Sequence, residues 1–466
     1  MSSGQGHEHE LAELLREVRE LRKTLEQLKP TTGRPALPPD YAVLVRQAAD
    51  LPPDYAVAVR QIAVSPSYED EVHGALAGEL LAGRGQVRVV DDVARDDDVE
   101  VGVACGAPSL NEPRSQPLPP LDRLRAAVAE FLSLPTVMLE GPGGFLWAAL
   151  LRAHGFRGTA TVLPYVNPRG WHDVAATALY RRFSRPGDRV FLGSTPAASV
   201  YRSCGVRASV GEPYGIDDGL FRPRTGAAER VRRAVGIGPG PDLHVVVASH
   251  VVDDAYLAAA REQLAGQGSV HFVLDPTPDE LADLYNVADV FVTASTSHFE
   301  TFGRAPAEAL ACGSPAIAPR YDGFVETLKQ PGGVLVDVEL DPETGTPHVQ
   351  EERLLRAVYE VLSSPRPPRR EEVAAIARSR FGRSTTIRML GYLVDGNGSG
   401  PSPAARAAPA KLPTEWRSPL AEIAGRDPLD VLTWFWRECE HERLAAEDGR
   451  FVADVRRSLC VGPPCR

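Results

Sequence analysis

Residues Thr296 to Ala318 read T-S-H-F-E-T-F-G-R-A-P-A-E-A-L-A-C-G-S-P-A-I-A. The apolar run Asp289-Val-Phe-Val-Thr-Ala just upstream predicts a buried strand, and the Ala-rich run Arg304 to Cys312 predicts a helix stopped by Gly313. The Phe-Gly turn between them therefore opens a helix. A helix start offers unpaired backbone N–H groups and a positive dipole end to anionic oxygens, and Gly303 lets a ligand approach the backbone closely. Glu300 stands at that mouth, where its carboxylate can accept hydrogen bonds from sugar hydroxyls. Glu308, eight residues on, can reach both hydroxyls of a ribose. Taken in isolation, two such acids are equally well read as the solvated face of a helix, and Phe302 with the Ala and Leu positions reads as core.

Further segments stand in order around this turn. Upstream lie E-P-Y-G-I-D-D-G-L-F-R-P (Glu212 to Pro223) and D-E-L-A-D-L-Y-N-V-A-D-V-F-V-T-A-S (Asp279 to Ser295). Downstream lie Asp322-Gly-Phe-Val-Glu326 and Gly332-Gly-Val-Leu-Val336. Together with Glu300-x7-Glu308 they resemble the motifs of retaining glycosyltransferases of family four, the group 1 type, which have the GT-B fold. The resemblance is close over residues 212–337 and loose over 137–212.

That resemblance implies a donor lying along the second of two domains, with Glu308 on the ribose and Glu300 on the sugar. Thr301, Phe302, Gly303 and Arg304 would border the sugar and phosphates, and Ser249 and His250 would follow the domain's first strand. It also implies transfer from a nucleotide-diphosphate sugar with retention of configuration, the leaving phosphate taking the acceptor's proton, and no metal or other cofactor. In agreement, no Asp-x-Asp follows a strand where a sugar-nucleotide metal would sit; Asp96 to Asp98 falls in a loop of the other domain. One departure concerns the diphosphate. The family carries Gly-Arg and then Lys-Gly after the first strand of the second domain, whereas this chain has Ser249-His-Val-Val-Asp-Asp254. Arg304, whose guanidinium can fork onto phosphate oxygens, is the candidate replacement, with a surface helix residue as the plain alternative; His250 and His298 stand behind it. On the acceptor side, Tyr165-Val-Asn-Pro-Arg-Gly-Trp-His172-Asp173 follows a predicted strand, so His172, Asn167 and Arg169 are candidates, unless His172 instead caps the next helix. Gly141-Pro-Gly-Gly144 could line the same side.

Length and charge fit that picture. With 466 residues, 43% hydrophobic, the chain has apolar material for two cores, and a net charge of -11 argues against nucleic acid as the main partner. The apolar runs are shorter than the roughly 18 to 20 residues of a membrane helix, and the polar start lacks a signal-peptide core, so a cytoplasmic protein is expected. Six cysteines are too sparse for a disulfide scaffold. Cys439, His441, Cys460 and Cys465 read as incidental tail residues rather than a zinc site.

The expected organisation is therefore α/β of GT-B type, two Rossmann-like domains facing across a cleft, with helical additions at both ends. Residues 1–30 carry Leu11, Val18 and Leu25 at heptad position a and Leu14, Leu21 and Leu28 at d, a possible parallel homodimer helix or an amphipathic helix on its own domain. A tandem, L-P-P-D-Y-A-V-L-V-R-Q and L-P-P-D-Y-A-V-A-V-R-Q, follows without an assigned role. Residues 31–225 would form the acceptor domain and 226–395 the nucleotide-sugar domain. Residues 396–466 would be a Gly/Pro/Ala linker and a tail whose helix, Pro428 to Leu444, docks on the enzyme or on a partner. Two functions compete on these residues: a glycosyltransferase acting on a small-molecule, lipid or glycan acceptor, or a nucleotide-sugar binding or assembly scaffold that has lost turnover.

Overall fold

The computed structural model describes residues 136–385 apart from 141–143, 165–166, 169, 212–214, 238–243, 250–256, 259–260, 263–269, 297–299 and 342–344, together with residues 132, 414–431 and 451–460. The heptad helix, the tandem and most of the tail helix lie outside the described residues.

The first unit is built by regular alternation. Strand β1 (Thr136–Glu140), helix α1 (Gly144–Ala153), β2 (Thr159–Leu163), α2 (Trp171–Phe183), β3 (Arg189–Leu192), α3 (Thr195–Ser203) and β4 (Ser209–Val210) follow one another. The strands form one parallel sheet in the order β1-β2-β3-β4. Each crossover steps one strand in the same direction, and α1 and α2 touch directly. Phe145 of α1 has its ring 5.3 Å from Tyr180 of α2 and 5.3 Å from Tyr201 of α3.

Beneath the apolar core lies one buried ion pair. Arg152, on α1, donates through Nε to Asp188 Oδ2 at 3.1 Å and through Nη2 to Oδ1, and its remaining N–H groups reach the Phe156 and Gly158 carbonyls at 2.7 Å. Asp188 also accepts from the Ala160 and Arg185 backbone amides. The two side chains are 3% and 1% exposed, so neither charge has water to fall back on.

The second unit begins after a connecting segment. Helix α4 (Ala227–Val235), β5 (Val245–Ser249), β6 (Val270–Leu274), α5 (Pro278–Val287), β7 (Phe291–Val292), α6 (Arg304–Ala311), β8 (Ala316–Pro319), the short α7 (Phe324–Thr327), β9 (Gly333–Val336), an antiparallel pair β10 (Val338–Leu340) and β11 (Pro347–Val349), α8 (Glu351–Leu362) and α9 (Arg370–Phe381) complete it. Among the described residues β5 pairs with β6, and β7-β8-β9 form a second parallel group. A capping box, Thr277 with Glu280, starts α5, and Arg370 closes its far end by donating to the Ala288 and Asn286 carbonyls at 2.8 and 2.7 Å. Arg230 forks onto Asp283 at 2.5 and 2.6 Å, ties α4 to α5, and holds the Asp283 carboxyl below its ordinary range.

The chain passes between the units twice, side by side. The Ile216 amide donates to the Phe381 carbonyl at 2.8 Å, and the Arg383 amide to Asp218 Oδ1 at 3.2 Å, so the motif Gly215-Ile-Asp-Asp218 is seated on the end of α9. The C-terminal residues then return to the first unit. A 3-10 turn (Thr414–Trp416) leads into α10 (Arg417–Gly425), which lies against α2. Trp416 packs 5.6 Å from Trp171 and 5.0 Å from Phe451, and Ile423, Leu429, Val431, Phe451, Val455 and Leu459 share one core with β1 to β3. In its described part the tail thus docks on its own chain.

Cutting the buried ion pair on one side strands a charge. Asp188→Ala is expected to lower stability by about 3–5 kcal/mol in urea unfolding, and Arg152→Met with Asp188→Leu together to cost far less. A single-variant loss below about 1 kcal/mol would show that water reaches Arg152.

Candidate functional site

The site grows from the way β7 leaves its sheet. The strand expected over 289–294 is confined to Phe291–Val292. The Thr293 amide still donates to the Ile317 carbonyl at 3.0 Å, and the chain then departs into the turn that ends at Gly303. Gly303 has φ 81°, the left-handed conformation that glycine adopts without strain, and serves as N-cap of α6 with no side-chain cap. Gly303 also faces Phe324, where an added Cβ would lie 2.8 Å from the ring. The helix ends at Ala311, and Gly313 at φ 89° turns the chain into β8.

The turn gathers several of the residues singled out in the sequence. Glu300 and Arg304 are half-buried and Thr301 and Gly303 buried. Phe302 packs edge-on against Phe381, with centroids 5.7 Å apart, so it is a core contact of α9. Glu308 lies one turn into α6, 5% exposed, and accepts from the Tyr285 hydroxyl at 3.4 Å. Burial, reinforced by the Glu308 charge, drives the Tyr285 pKa well above its ordinary value, so this hydroxyl stays protonated and donating. The same two causes raise the neighbouring Cys312 thiol to about 12. A ligand hydroxyl that engages Glu308 must share it with Tyr285.

Other candidates fall elsewhere. Ser249 is the last residue of β5, exposed, with its carbonyl accepting from the Asp275 amide at 2.9 Å. His172 lies in the first turn of α2 rather than on a loop, because Trp171 is drawn into the helix by its contact with Trp416 and Gly170 is extended before it. Its side chain lies outside the described residues, as do His250, His298, Arg169 and the loop 141–143. Among the described residues no group of three or more His, Cys, Asp or Glu side chains could hold a metal ion, and no helix is long and apolar enough to cross a membrane.

Sequence reasoning passed over the far wall of this turn. Asp322, at the end of β8, has φ 39° and is fully buried. Its carboxyl accepts from Asn167 Nδ2 at 2.6 Å and from the Ser194 hydroxyl, both residues of the first unit. One turn on, Glu326 Oε1 accepts from the Thr195 hydroxyl at 2.5 Å. Two carboxyls of the second unit thereby hold the N-terminus of α3, whose N-cap Ser194 also accepts from the Ala197 amide at 3.1 Å. Burial pushes the Asp322 carboxyl up to about 7; the hydrogen bonds from Ser194 and Asn167 oppose that rise and the charge of Glu300 adds to it. The signal available in the sequence was an acid on the turn after a parallel strand, the end at which such sheets gather their ligands.

Glycines let these surfaces close. The Gly323 amide donates to the Glu300 carbonyl at 2.8 Å, and a Cβ there would lie 2.4 Å from the Phe302 nitrogen. From the first unit Gly193 approaches so closely that its Cβ would lie 2.4 Å from the Thr301 carbonyl oxygen. The turn 300–303 is thus sandwiched between backbone of both units.

Residues 227–377 match the family model of glycosyl transferases group 1. The D-inositol 3-phosphate glycosyltransferase of Segniliparus rotundus is 31% identical over 160 residues, 27% of this chain and 35% of that one. The Rhodococcus opacus enzyme of the same name is 32% identical over 175 residues, 35% and 36% of the two chains. The chain thus spans about a third of the length of the curated relatives it matches. Among solved structures, Anabaena HepE in complex with UDP and glucose overlays with a TM-score of 0.47 at 14% identity, covering 59% of this chain and 82% of the other.

Since backbone, which cannot swing aside, faces Gly323, Gly323→Ala is expected to lower stability by about 1–3 kcal/mol. Gly187→Ala, with nothing within 4 Å, should stay within about 0.5 kcal/mol of the parent. Equal midpoints in chemical unfolding would contradict the close approach.

Proposed function

We propose that this chain is a glycosyltransferase that moves a sugar from a nucleotide-diphosphate donor to an acceptor with retention of configuration and without a metal, in a GT-B arrangement. The observation that carries this reading is the turn Glu300 to Gly303 opening α6, with Glu308 one turn into that helix, inside the segment that matches the group 1 family. The relatives' name adds a phosphorylated inositol as the first acceptor to try.

In this reading the nucleotide lies along the second unit with its ribose hydroxyls on Glu308. The diphosphate meets the start of α6, where backbone N–H groups and the helix dipole favour negative charge. Glu300 holds the sugar hydroxyls, and Thr301 and Gly303 shape the floor. Cleaving the anomeric bond leaves a diphosphate whose growing charge must be stabilised within the site. Arg304, on the first turn, supplies that charge in place of the Arg/Lys pair, with Ser249 and His250 bordering the same side. The acceptor enters from the first unit, past His172. Its hydroxyl attacks on the face the leaving group departs from, forming the new glycosidic bond as the old C–O bond breaks. The hydroxyl proton passes to the departing phosphate oxygen, so no protein base is required. Seating of the first unit against the turn excludes water from the oxocarbenium-like centre.

The test is a panel of UDP-, GDP- and ADP-sugars with inositol 3-phosphate or cell extract as acceptor, following binding, hydrolysis and transfer separately. Turnover of at least one donor is expected; binding of a nucleotide sugar with no turnover under any condition would instead mark a sensing or assembly scaffold. Glu308→Ala should weaken nucleotide binding by about tenfold to a hundredfold, the loss of charged hydrogen bonds worth about 1.5–3 kcal/mol. Unchanged affinity would move the ribose elsewhere. Arg304→Ala should lower kcat by about 100-fold with a smaller change in nucleotide affinity. A kcat equal to the parent's would leave Arg304 as a surface helix residue.

A further inference from the structure

We propose that Asp322 is a positioning residue through which the first unit seats itself on the donor turn, one buried carboxyl gathering Ser194 and Asn167 from the first unit while its neighbour Gly323 grips the backbone of Glu300. The inference rests on the donor site lying at the head of α6. Five contacts meet at this point. The Asp322 carboxyl takes hydrogen bonds from Asn167 Nδ2 at 2.6 Å and from Ser194. The Asp322 amide donates to the Leu459 carbonyl at 3.0 Å, and Tyr321 bridges to Cys460, so the C-terminal segment braces the same turn from behind. The next amide, that of Gly323, donates to the Glu300 carbonyl at 2.8 Å. Moving Ser194 and Asn167 away from Asp322 therefore pulls on the peptide that carries Glu300.

Such a contact depends on the charge of its central group. Asp322, Asn167 and Ser194 are each 0% exposed, and the donors that reach the carboxyl among the described residues are neutral. The charged and titratable groups around it are Glu300 on the donor turn, Glu326 on α7 bonded to Thr195 of α3, Tyr321 beside it, and Cys460 and Arg456 of the C-terminal segment, which face Tyr321. Glu300 repels an ionised Asp322, and among the described residues no cation acts on its carboxyl. The neutral acid fits better. Its hydroxyl can donate to the otherwise unpartnered Asn167 Oδ1 once that amide turns over, while Ser194 keeps donating to the second carboxyl oxygen. The sign follows from linkage. With a folded value near 7 against 3.8 for the free group, the folded protein holds a proton that the unfolded chain has lost in between. This contribution to stability is full below the free value and is lost as pH rises to the folded value. Above it, the units are joined by a buried charge and separate more readily.

The experiment compares the full-length parent, Asp322→Asn and Ser194→Ala by thermal unfolding and small-angle scattering from about pH 5 to about pH 8.5, a range that brackets the folded value. Asparagine tolerates the left-handed backbone and keeps a neutral amide in place. The parent should lose several degrees of Tm relative to Asp322→Asn as pH rises, and its radius of gyration should grow while that of Asp322→Asn stays constant. Ser194→Ala removes a donor that favours the ionised form, so its transition should move to higher pH, which loss of an ordinary packing contact would not do. Parallel pH profiles for the parent and Asp322→Asn, or for the parent and Ser194→Ala should Asp322→Asn fail to fold, would overturn the proposal. Both readouts need no nucleotide, so a protein that shows the transition but transfers no sugar refutes the glycosyltransferase reading alone.

Discussion

Backbone meeting backbone around residues 300–303 is the constraint on which the rest of this structure depends. Gly193 comes from the end of β3, Gly323 from the end of β8, and Gly303 is part of the turn itself; in each case an added Cβ would meet backbone or a buried ring at 2.4 to 2.8 Å. Side chains can rotate away from a crowded contact, but peptide groups cannot, so the turn has one place to sit. The placing of Glu300 and Arg304 follows from it, since both side chains start from a peptide held on two sides.

The same crowding explains why two units and a C-terminal return are needed to form one site. Parallel strands leave their carboxyl ends as loops, and here the ends of β3 and β8 face each other across the turn. Ser194 and Thr195 present hydroxyls at the start of α3, and Asp322 and Glu326 present the carboxyls that receive them. Behind Asp322 the last described residues, 459 and 460, pair with residues 321 and 322. These residues reach that position because Phe451, Val455 and Leu459 are buried in the core of the first unit. Tail, first unit and the turn 300–303 are therefore mechanically continuous.

Much of the second unit was legible from the sequence because its local signals agree with one another. The apolar run Val270–Leu274, the capping-box start of α5 at Thr277, the Ala-rich α6 and its glycine stop all appear where propensity and punctuation place them. Where neighbours elsewhere in the chain decide, the local reading slipped. β7 shrank to Phe291–Val292 because the chain must leave the sheet early to make the turn. Helix α2 begins at Trp171 and takes in His172 because that indole packs on Trp416, far along the chain. Glu308 could be singled out by spacing, yet its partner Tyr285 comes from another helix, and no spacing within α6 announces it.

The sequence by itself determined the alternation of strands and helices, the strand-turn-helix that carries Glu300 and Glu308, and the match of residues 227–377 to the group 1 family model, because hydrophobic period, helix stops and glycine positions act over a few residues. Only the tertiary structure decided that Asp322 is a buried acid rather than a solvated one, and that Asn167 and Ser194 are its partners. Asn167 and Ser194 lie 155 and 128 positions before Asp322 in the chain, and the energy of a buried carboxyl depends on the groups that fold against it, not on its neighbours in sequence.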